Sequence, residues 1–260
     1  MGKPAGAVGP TSAPGMHDAV LTGIGLEITS GVHRPGEALT LEQLQDRFGV
    51  SRTVVREAMR MLESLGLVAP RRRVGLVVQP MGCWRVLDTR VIRWRLDGPG
   101  RSEQLATLTE LRLAIEPIAA AGAAERASVE QRARLVELAA QLRTLGEAGR
   151  IEEFLAADVD YHALLLQASG NEMFSSLTGV VGEVLAGRTE HGLMPRCPRP
   201  EALDLHERVA AAVQIGEVLG AEVSMRELLT EVQEAIGADG EGGHSGNATP
   251  PSANDPGPLA

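Results

Sequence analysis

Apolar residues recur every three or four positions along most of the chain, which is the spacing of helices that bury one face. In the first third of the chain this pattern predicts helices over residues 17–32, 40–48 and 52–65. Two short apolar stretches, 67–68 and 75–78, flank a basic turn and predict a hairpin. A helix, a short turn, a second helix and a hairpin follow one another in a winged helix-turn-helix domain.

The rest of the sequence predicts helices alone. Trp84, Leu87, Val91 and Trp94 fall on one stripe, which predicts a helix over residues 84–96 that docks along one face. Further helices are predicted at 102–126, 128–147, 151–169, 172–188, 200–215 and 217–236. None of these windows shows a sustained alternation of apolar and polar residues, so we expect an all-α bundle of about six helices.

Both ends of the chain are rich in Gly, Pro, Ala and Ser, and they contain too few large apolar residues to offset the entropy of the chain. The predicted organisation is a disordered tail at 1–15, a winged helix-turn-helix domain at 16–80, a connecting helix and linker at 81–100, an all-helical domain at 101–236 and a disordered tail at 237–260. The expected fold class is mainly α: an N-terminal winged helix-turn-helix domain and a C-terminal all-α helical bundle.

The chain is acidic, with a formal net charge of −9, but its charge is unevenly distributed. Residues 46–80 contain seven arginines and three acidic residues, so this segment alone is cationic. Such a patch on an acidic protein is typical of a DNA-binding module attached to a larger domain. Cys83 and Cys197 provide neither a disulfide framework nor a CxxC metal site.

Features of membrane or exported proteins are not found in the sequence. No apolar run approaches the roughly 18 residues of a membrane span, and residues 1–15 lack the apolar core of a signal peptide. We therefore expect a cytoplasmic protein without a membrane partner, associated with the nucleoid when it is bound to DNA.

The helix predicted from residue 52 has two different faces. Arg52, Arg56 and Arg60 lie on one stripe at spacings of four, while Val55 and Met59 belong to the apolar face behind them. Guanidinium groups in this arrangement suit phosphates and guanine edges. An ordinary amphipathic helix with solvated arginines has the same spacing, so the pattern alone leaves both interpretations open.

Four polar residues fall on apolar faces of the predicted helical domain. Asp158 and His162 share the inner face of one helix at a spacing of four, and His206 shares a stripe with alanines and valines. Together with Arg112, they describe a polar cavity suited to a metal ion and an anion, with the arginine as a bidentate carboxylate clamp. Each also has a simpler explanation, since Asp158 can bond to His162 and Arg112 can pair with Glu116.

Several motifs, in the order in which they occur, resemble a known family. The DNA-binding domain of GntR transcription regulators is similar to the segments GVHRPGEALT and LQDRFGVSRTVVREAMRMLESLGLVAPRRRVGLVV. The FCD effector domain of the FadR branch is similar to RLAIEPIAAAGAAERA, DVDYH, SGN and LHERVAAAVQIGE. The members that respond to gluconate and galactonate are similar in the segment WRVLDTRVIRWRL. The resemblance covers about residues 17–236 and implies the two domains described above.

The resemblance also implies roles for single residues. The residues implied to contact DNA belong to the recognition helix and the wing: Arg52, Thr53, Arg56, Arg60, Arg71, Arg72, Arg73 and Gly75. Asp158, His162 and His206 would bind a divalent metal ion, with zinc as the expected metal. Arg112 and Asn171 would bind an acidic effector.

Two positions depart from the family pattern. Many relatives carry an arginine in the helix before the turn, where this chain has Glu42. We therefore expect base recognition to depend more on Arg52 and Arg56. Relatives with four metal ligands have a second histidine in the last helix, where this chain has Leu228. A site with three protein ligands, and hence a weaker one, is expected. The alternatives are a site that binds a metal only together with a chelating effector and one that binds no metal at all.

The function implied by the resemblance is that of a homodimeric repressor of sugar-acid catabolism genes. Two recognition helices would read a palindromic operator in double-stranded DNA. A sugar acid such as gluconate or galactonate would bind in the helical domain and release the protein from the operator. The alternatives are a regulator that responds to another hydroxy acid or a dicarboxylic acid, a sensor of the metal itself, and a metal-dependent hydrolase.

Overall fold

The computed structural model describes residues 15–192, 194 and 198–242. Most of the two predicted tails, at residues 1–14 and 243–260, lies outside the described residues. The last helix continues to Gly242, beyond residue 236, where the sequence predicted the end of the folded part. Helix propagation adds one backbone hydrogen bond for each residue, so the glycines in this stretch do not by themselves end the helix.

The N-terminal domain is a winged helix-turn-helix, as predicted. Its elements are α1 (Met16–Thr29), β1 (Ala38–Leu39), α2 (Leu41–Phe48), α3 (Arg52–Ser64), β2 (Val68–Arg71) and β3 (Gly75–Val78), followed by a short 3₁₀ turn (Met81–Cys83). The three strands form one antiparallel sheet in the order β1-β3-β2. The sequence did not predict β1, because two residues are too few to show an alternation.

The turn between α2 and α3 is defined by caps on both sides. Thr40 begins α2 with a capping box shared with Gln43, and α2 ends at Gly49, whose φ of 63° lies in the left-handed region that favours glycine. Ser51 then caps α3 by accepting the N–H of Val54. The backbone between Gly49 and Ser51 is short, so these caps determine how α3 leaves α2.

Helix α3 buries the face opposite its arginines. Val55, Ala58, Met59 and Leu62 are buried in the N-terminal core, which they share with Ile24 of α1. Each large apolar side chain contributes about 1.5–3 kcal/mol when it is fully buried. Rotation of α3 about its axis would expose these side chains, so the arginines are held toward solvent.

The connector differs from the prediction. Its helix is α4 (Thr89–Asp97), which begins at Thr89 rather than at residue 84. The carboxylate of Asp88 accepts the N–H of Arg90 and caps the helix there. Trp84 lies before the helix, and Leu87 is exposed rather than docked. The predicted stripe therefore holds only for its second half, since apolar spacing does not locate the cap at which a helix starts.

The C-terminal domain is an all-α bundle over the described residues, as predicted. Its helices are α5 (Arg101–Arg126), α6 (Val129–Glu147), α7 (Ile151–Ala168), α8 (Glu172–Ser175), α9 (Thr178–Glu190), α10 (Pro200–Ile215) and α11 (Val218–Gly242). The single helix predicted at 172–188 is divided into α8 and α9. At this break the hydroxyl of Ser176 donates to the carbonyl of Met173 and competes with the helix ladder. Within the described ranges, no helix is both long and apolar enough to cross a membrane.

Helix α4 is buried on two sides and joins the two domains. Val91 and Trp94 belong to the core of the N-terminal domain, whereas Ile92 and Leu96 pack in a cluster with residues of α5 and α9. The ring of Trp94 lies so close to Gly25 of α1 that a Cβ atom there would be 2.6 Å from it. Packed contacts therefore run without interruption from α1 through α4 to the helical bundle.

Replacement of Gly25 by alanine is expected to destabilise the N-terminal domain. Overpacking a core costs about 1–3 kcal/mol, which outweighs the gain of up to about 1 kcal/mol in helix propensity. We expect the free energy of unfolding to fall by about 1–2 kcal/mol on balance, measured by chemical denaturation with tryptophan emission. Gly82→Ala is the control, because a Cβ atom there meets nothing within 4 Å. Equal unfolding midpoints for the two variants would show that the contact between α1 and α4 is not tight.

Candidate functional site

The arginines of α3 face solvent on the N-terminal domain. Arg52, Arg56 and Arg60 are exposed, and so is Thr53. The first turn of α3 contains no acidic residue, so the partial positive charge of the helix N-terminus adds to that of Arg52. Arg60 is partly neutralised by Glu57, whose carboxylate lies 2.6 Å away on the same helix.

A groove of about 440 Å³ lies between α3 and the hairpin of β2 and β3. The three arginines of α3 line this groove together with Arg73 and Gly75 of the hairpin. Arg71 and Arg72 are exposed on the same hairpin, outside the groove lining. Glu42 lines the groove too, so the acidic residue found in place of the usual arginine faces the same surface.

The arginines of α3 and the basic hairpin beside them suit duplex DNA. A cationic helix N-terminus can enter the major groove, while a basic hairpin beside it can reach phosphates or the minor groove. The DNA-contacting residues expected from the sequence thus lie either in this groove or exposed next to it.

A second site is a cavity of about 70 Å³ between the helices of the C-terminal domain. Buried polar side chains line it from four helices: Arg112 on α5, Asp158 and His162 on α7, Arg188 on α9 and His206 on α10. Two further charged residues, Arg199 and Glu231, line it as well. Its apolar lining consists of Phe154, Leu185, Met194, Pro198, Ala202, Leu228, Leu229 and Val232. One water needs roughly 10–15 Å³ of cavity volume, so the cavity has room for a few waters or for a small polar ligand.

The three metal ligands expected from the sequence meet in this cavity. One ligand atom from each of Asp158, His162 and His206 lies within 4.8 Å of the other two. The Oδ1 atom of Asp158 is 3.2 Å from Nε2 of His206 and 3.4 Å from Nε2 of His162. We refer to these three side chains as the Asp–His–His cluster. All three are buried, so their polar atoms depend on one another or on a bound ion for compensation.

The Nδ1 atom of each imidazole ring has a partner outside the Asp–His–His cluster, and this contact orients the ring. The Nδ1 atom of His206 donates to the carbonyl of Ala202 at 2.7 Å, and Nδ1 of His162 lies 2.6 Å from the carboxylate of Glu116. Rings held in this way turn Nε2 toward Asp158, as histidine ligands do around a metal ion. The residues present therefore fit a divalent cation, and imidazole with carboxylate is a ligand set that zinc accepts.

Glu116 is a member of the site that the sequence indicated only as a partner for Arg112. It is fully buried and contacts both Arg112 and His162. Burial alone would raise the pKa of Glu116, but Arg112 and His162 outweigh it and lower the pKa to about 2, so the group is a carboxylate at neutral pH. Burial likewise opposes a charge on His162, yet Glu116 and Asp158 raise its pKa overall. Glu116 and Asp158 thus favour a positive charge on His162, which lies between them.

The carboxylate clamp predicted for Arg112 requires correction. Its Nε atom donates to Oε1 of Glu116 at 2.6 Å, and its Nη2 atom lies 3.4 Å from Oε2 of the same carboxylate. A residue four positions ahead on the same helix face thus occupies the fork that a ligand would need. Of the three guanidinium nitrogens of Arg112, Nη1 alone has no acceptor among the described residues, so it can offer a ligand one hydrogen bond.

Asn171 lies outside the cavity lining, and the effector-binding role predicted for it stays a prediction. Its side chain accepts the N–H of Met173 at 2.9 Å and caps α8, and it is not part of the cavity lining. Capping alone explains an asparagine at this position. Leu228, by contrast, lines the cavity and is buried. The position at which relatives have a fourth metal ligand is therefore apolar here.

Arg188 is a second buried cation of the cavity, and the sequence analysis missed it. It follows Val184 and Leu185 on the buried face of α9, at spacings of four and three. The signal that could have identified it is the one that identified His206, a polar residue on an apolar stripe. Burial, followed by the charge of Arg112, lowers the pKa of Arg188 to about 10, so it is charged at neutral pH.

Two family models match the chain and cover both domains. The model described as bacterial regulatory proteins, gntR family, matches residues 19–78, which include α3 and the whole hairpin of β2 and β3. The model described as the FCD domain matches residues 107–231, which include every polar residue of the cavity named above.

The relatives are regulators of transcription. The HTH-type transcriptional regulator YieP of Escherichia coli K12 is 33% identical over 158 residues, which are 60% of this chain and 69% of that protein. The galactonate operon transcriptional repressor of Escherichia coli K12 is 29% identical over 199 residues, which are 76% of this chain and 86% of that protein. Among solved structures, Streptococcus agalactiae GntR matches 84% of this chain and 99% of that chain, with a TM-score of 0.47 and 21% identity.

The family matches and these curated relatives do not support the metal-dependent hydrolase that the sequence left as an alternative. They agree with the two domains seen in the structure and with the order of those domains along the chain. The chain belongs to the GntR family of bacterial regulatory proteins, with an FCD domain as its second domain, and is a DNA-binding transcription regulator rather than an enzyme.

Proposed function

We propose that this regulator is a homodimeric cytoplasmic repressor of sugar-acid catabolism genes, which leaves its operator when a sugar acid binds in the FCD domain. The observation that carries the proposal is the buried cavity, which combines two arginines with the Asp–His–His cluster. A small hydroxylated anion matches such a cavity, since its carboxylate can face the cations and its hydroxyl groups can meet the remaining polar atoms.

The operator-binding surface in this proposal is α3 with the wing. Arg52 and Arg56, which are exposed in the first half of α3, would read base edges in the major groove, while Arg71 and Arg72 would contact phosphates. A two-fold symmetric dimer presents two such helices. The operator would then be a palindrome with half-sites about 34 Å apart, or a multiple of that distance.

The Asp–His–His cluster would hold a divalent metal ion, with zinc as the preferred candidate. Three protein ligands leave a coordination position open to a small molecule, and Leu228 does not fill it. When bound, the ion would supply positive charge for a carboxylate or hydroxyl oxygen of the acid. Glu116 and the carbonyl of Ala202 would keep both imidazoles in position.

Similarity to the galactonate operon transcriptional repressor supports a sugar acid as the ligand. The acid can release the protein only if it binds more tightly to a dimer geometry in which the two α3 helices no longer match the operator. The structure offers a route for this coupling, because α9 lines the cavity and packs on α4, which itself packs on α1.

Another hydroxy acid or a dicarboxylic acid would suit the same groups. The Asp–His–His cluster also keeps a sensor of the metal itself as a second candidate.

Loss of Arg52 is expected to weaken specific DNA binding. Arg52→Ala should lower affinity for a palindromic site, selected from random duplexes with the full-length protein, by about 10–100-fold, since a base-contacting arginine contributes about 1–3 kcal/mol. Arg71→Ala should weaken specific and random DNA alike and reduce the salt dependence of binding by about one unit of slope. Fluorescence anisotropy measures both effects, and Arg134→Ala, at an exposed arginine of α6, is the charge-matched control. Equal affinity of Arg52→Ala and the wild type for the selected site would refute the recognition-helix assignment.

Zinc binding is expected to depend on the Asp–His–His cluster. In calorimetric titrations of metal-stripped protein, His206→Ala should lower zinc affinity by at least about 100-fold, and Glu116→Gln, which removes the carboxylate that orients His162, by about 10–100-fold. His17→Ala replaces a partly exposed histidine outside the cavity and should leave zinc affinity unchanged. Circular dichroism checks that each variant is folded. Wild-type zinc affinity in folded His206→Ala would exclude this cluster as the metal site.

The choice between an acid sensor and a metal sensor is open to direct measurement. Gluconate or galactonate should lower the operator affinity of zinc-loaded protein about 10-fold or more, within the usual range of allosteric coupling of about 5–150-fold. Zinc alone should leave operator affinity unchanged. Lactate and succinate, tested in parallel, represent the other hydroxy acids and the dicarboxylic acids. Release by zinc without any acid would favour the metal sensor over the repressor of sugar-acid genes.

A further inference from the structure

Arg188 brings a second guanidinium group into the cavity from α9. The residue is only 6% exposed. Within the part of the chain that the structure describes, its Nε atom has no hydrogen-bond acceptor. A buried donor without an acceptor is costly, and a charged one especially so. Such an atom at the wall of a cavity indicates that a ligand supplies the missing acceptor.

Arg112 cannot bind a ligand carboxylate through the Nε edge of its guanidinium group. Its Nε and Nη2 atoms face the carboxylate of Glu116, and Nη2 also contacts the ring of His162. Bidentate recognition of a carboxylate needs two parallel N–H groups on one edge of the guanidinium. In Arg112 the Nε edge is occupied, whereas in Arg188 the Nε atom is open.

We propose that Arg188 is the principal receptor for the carboxylate of the effector, an inference that rests on the function proposed above. Nη1 of Arg112 donates one further hydrogen bond to the same ligand. The cavity is small and also contains the Asp–His–His cluster, so a hydroxyl group on the carbon next to the carboxylate is the group best placed to face that cluster. The chemical class of ligand is therefore a 2-hydroxycarboxylate, to which the sugar acids belong.

The position of Arg188 on α9 connects this receptor to the rest of the molecule. Its neighbour Gly187 lies against α4, where an added Cβ atom would be 2.7 Å from Cδ1 of Leu96. One turn earlier, Glu183 accepts two hydrogen bonds from Arg93 of α4, at 2.9 and 2.8 Å. A ligand that holds Arg188 thus acts on the helix that touches the connector between the two domains.

The test is a calorimetric titration of zinc-loaded protein with gluconate and with glycolate, the simplest 2-hydroxycarboxylate. Arg188→Gln should lower affinity for both acids by at least about 30-fold, as expected when one partner of a buried charged pair is removed. Arg188→Lys should recover part of the loss, because the charge is kept and the planar fork is not. The matched control is Arg134→Gln, since Arg134 is exposed on α6 and lies outside the cavity lining.

Stability and zinc affinity separate ligand binding from a structural role. Without acid, Arg188→Gln should have a Tm no lower than that of the wild type, because it removes a buried charge, and its zinc affinity should not decrease. A lower Tm together with wild-type affinity for gluconate would overturn the receptor role while leaving the proposed function intact. Binding of glycolate but not gluconate to the wild type, lost in Arg188→Gln, would support the receptor role and refute the sugar acid. A wild type that binds neither acid would overturn both.

Discussion

A continuous line of buried charged and polar side chains crosses the FCD domain, and the positions of three helices depend on it. Arg112 contacts Glu116 on α5, Glu116 contacts His162 on α7, and Asp158 of α7 contacts His206 on α10. None of these residues is more than 5% exposed. A buried charge is stable only beside an opposite one, so a shift of one helix would leave its neighbours' charges uncompensated. The line therefore fixes α5, α7 and α10 around the cavity.

The connector imposes a second constraint, because α4 has to fit two cores at once. Trp94 needs the space left by Gly25 on one side, and Leu96 needs the space left by Gly187 on the other. Contacts this close cannot be compressed further, and packed interfaces change between discrete arrangements rather than by continuous deformation. A change at the cavity wall can thus reach α1 only as a displacement of α4 relative to one of its neighbours. This is a physical basis for communication between the cavity of the FCD domain and the DNA-binding domain.

The sequence predicted the fold class well, because helical periodicity and turn chemistry are local properties that a single chain displays. It failed at the start of α4, where a capping aspartate, Asp88, decided the boundary rather than the apolar stripe. In the cavity, the Asp–His–His cluster could be predicted since polar residues stand out on apolar faces. Spacing shows that a side chain points inward but not what it meets there. Arg112 was therefore taken for the clamp although Glu116 occupies its fork, and Arg188 was not recognised.

If the proposed ligands bind in this cavity, charge balance would make the cation and the acid cooperative. The charges of Arg112, Arg188 and Arg199 are offset by those of Glu116, Asp158 and Glu231, so a bound divalent cation would leave an excess of positive charge that attracts an anion. By linkage, a bound acid would strengthen cation binding by the same factor. An acid sensor and a metal sensor built on this site would then differ only in which ligand varies in concentration in the cell. Because Leu228 contributes no ligand atom, coordination would be completed by the acid, whose arrival would then stabilise both ligands together.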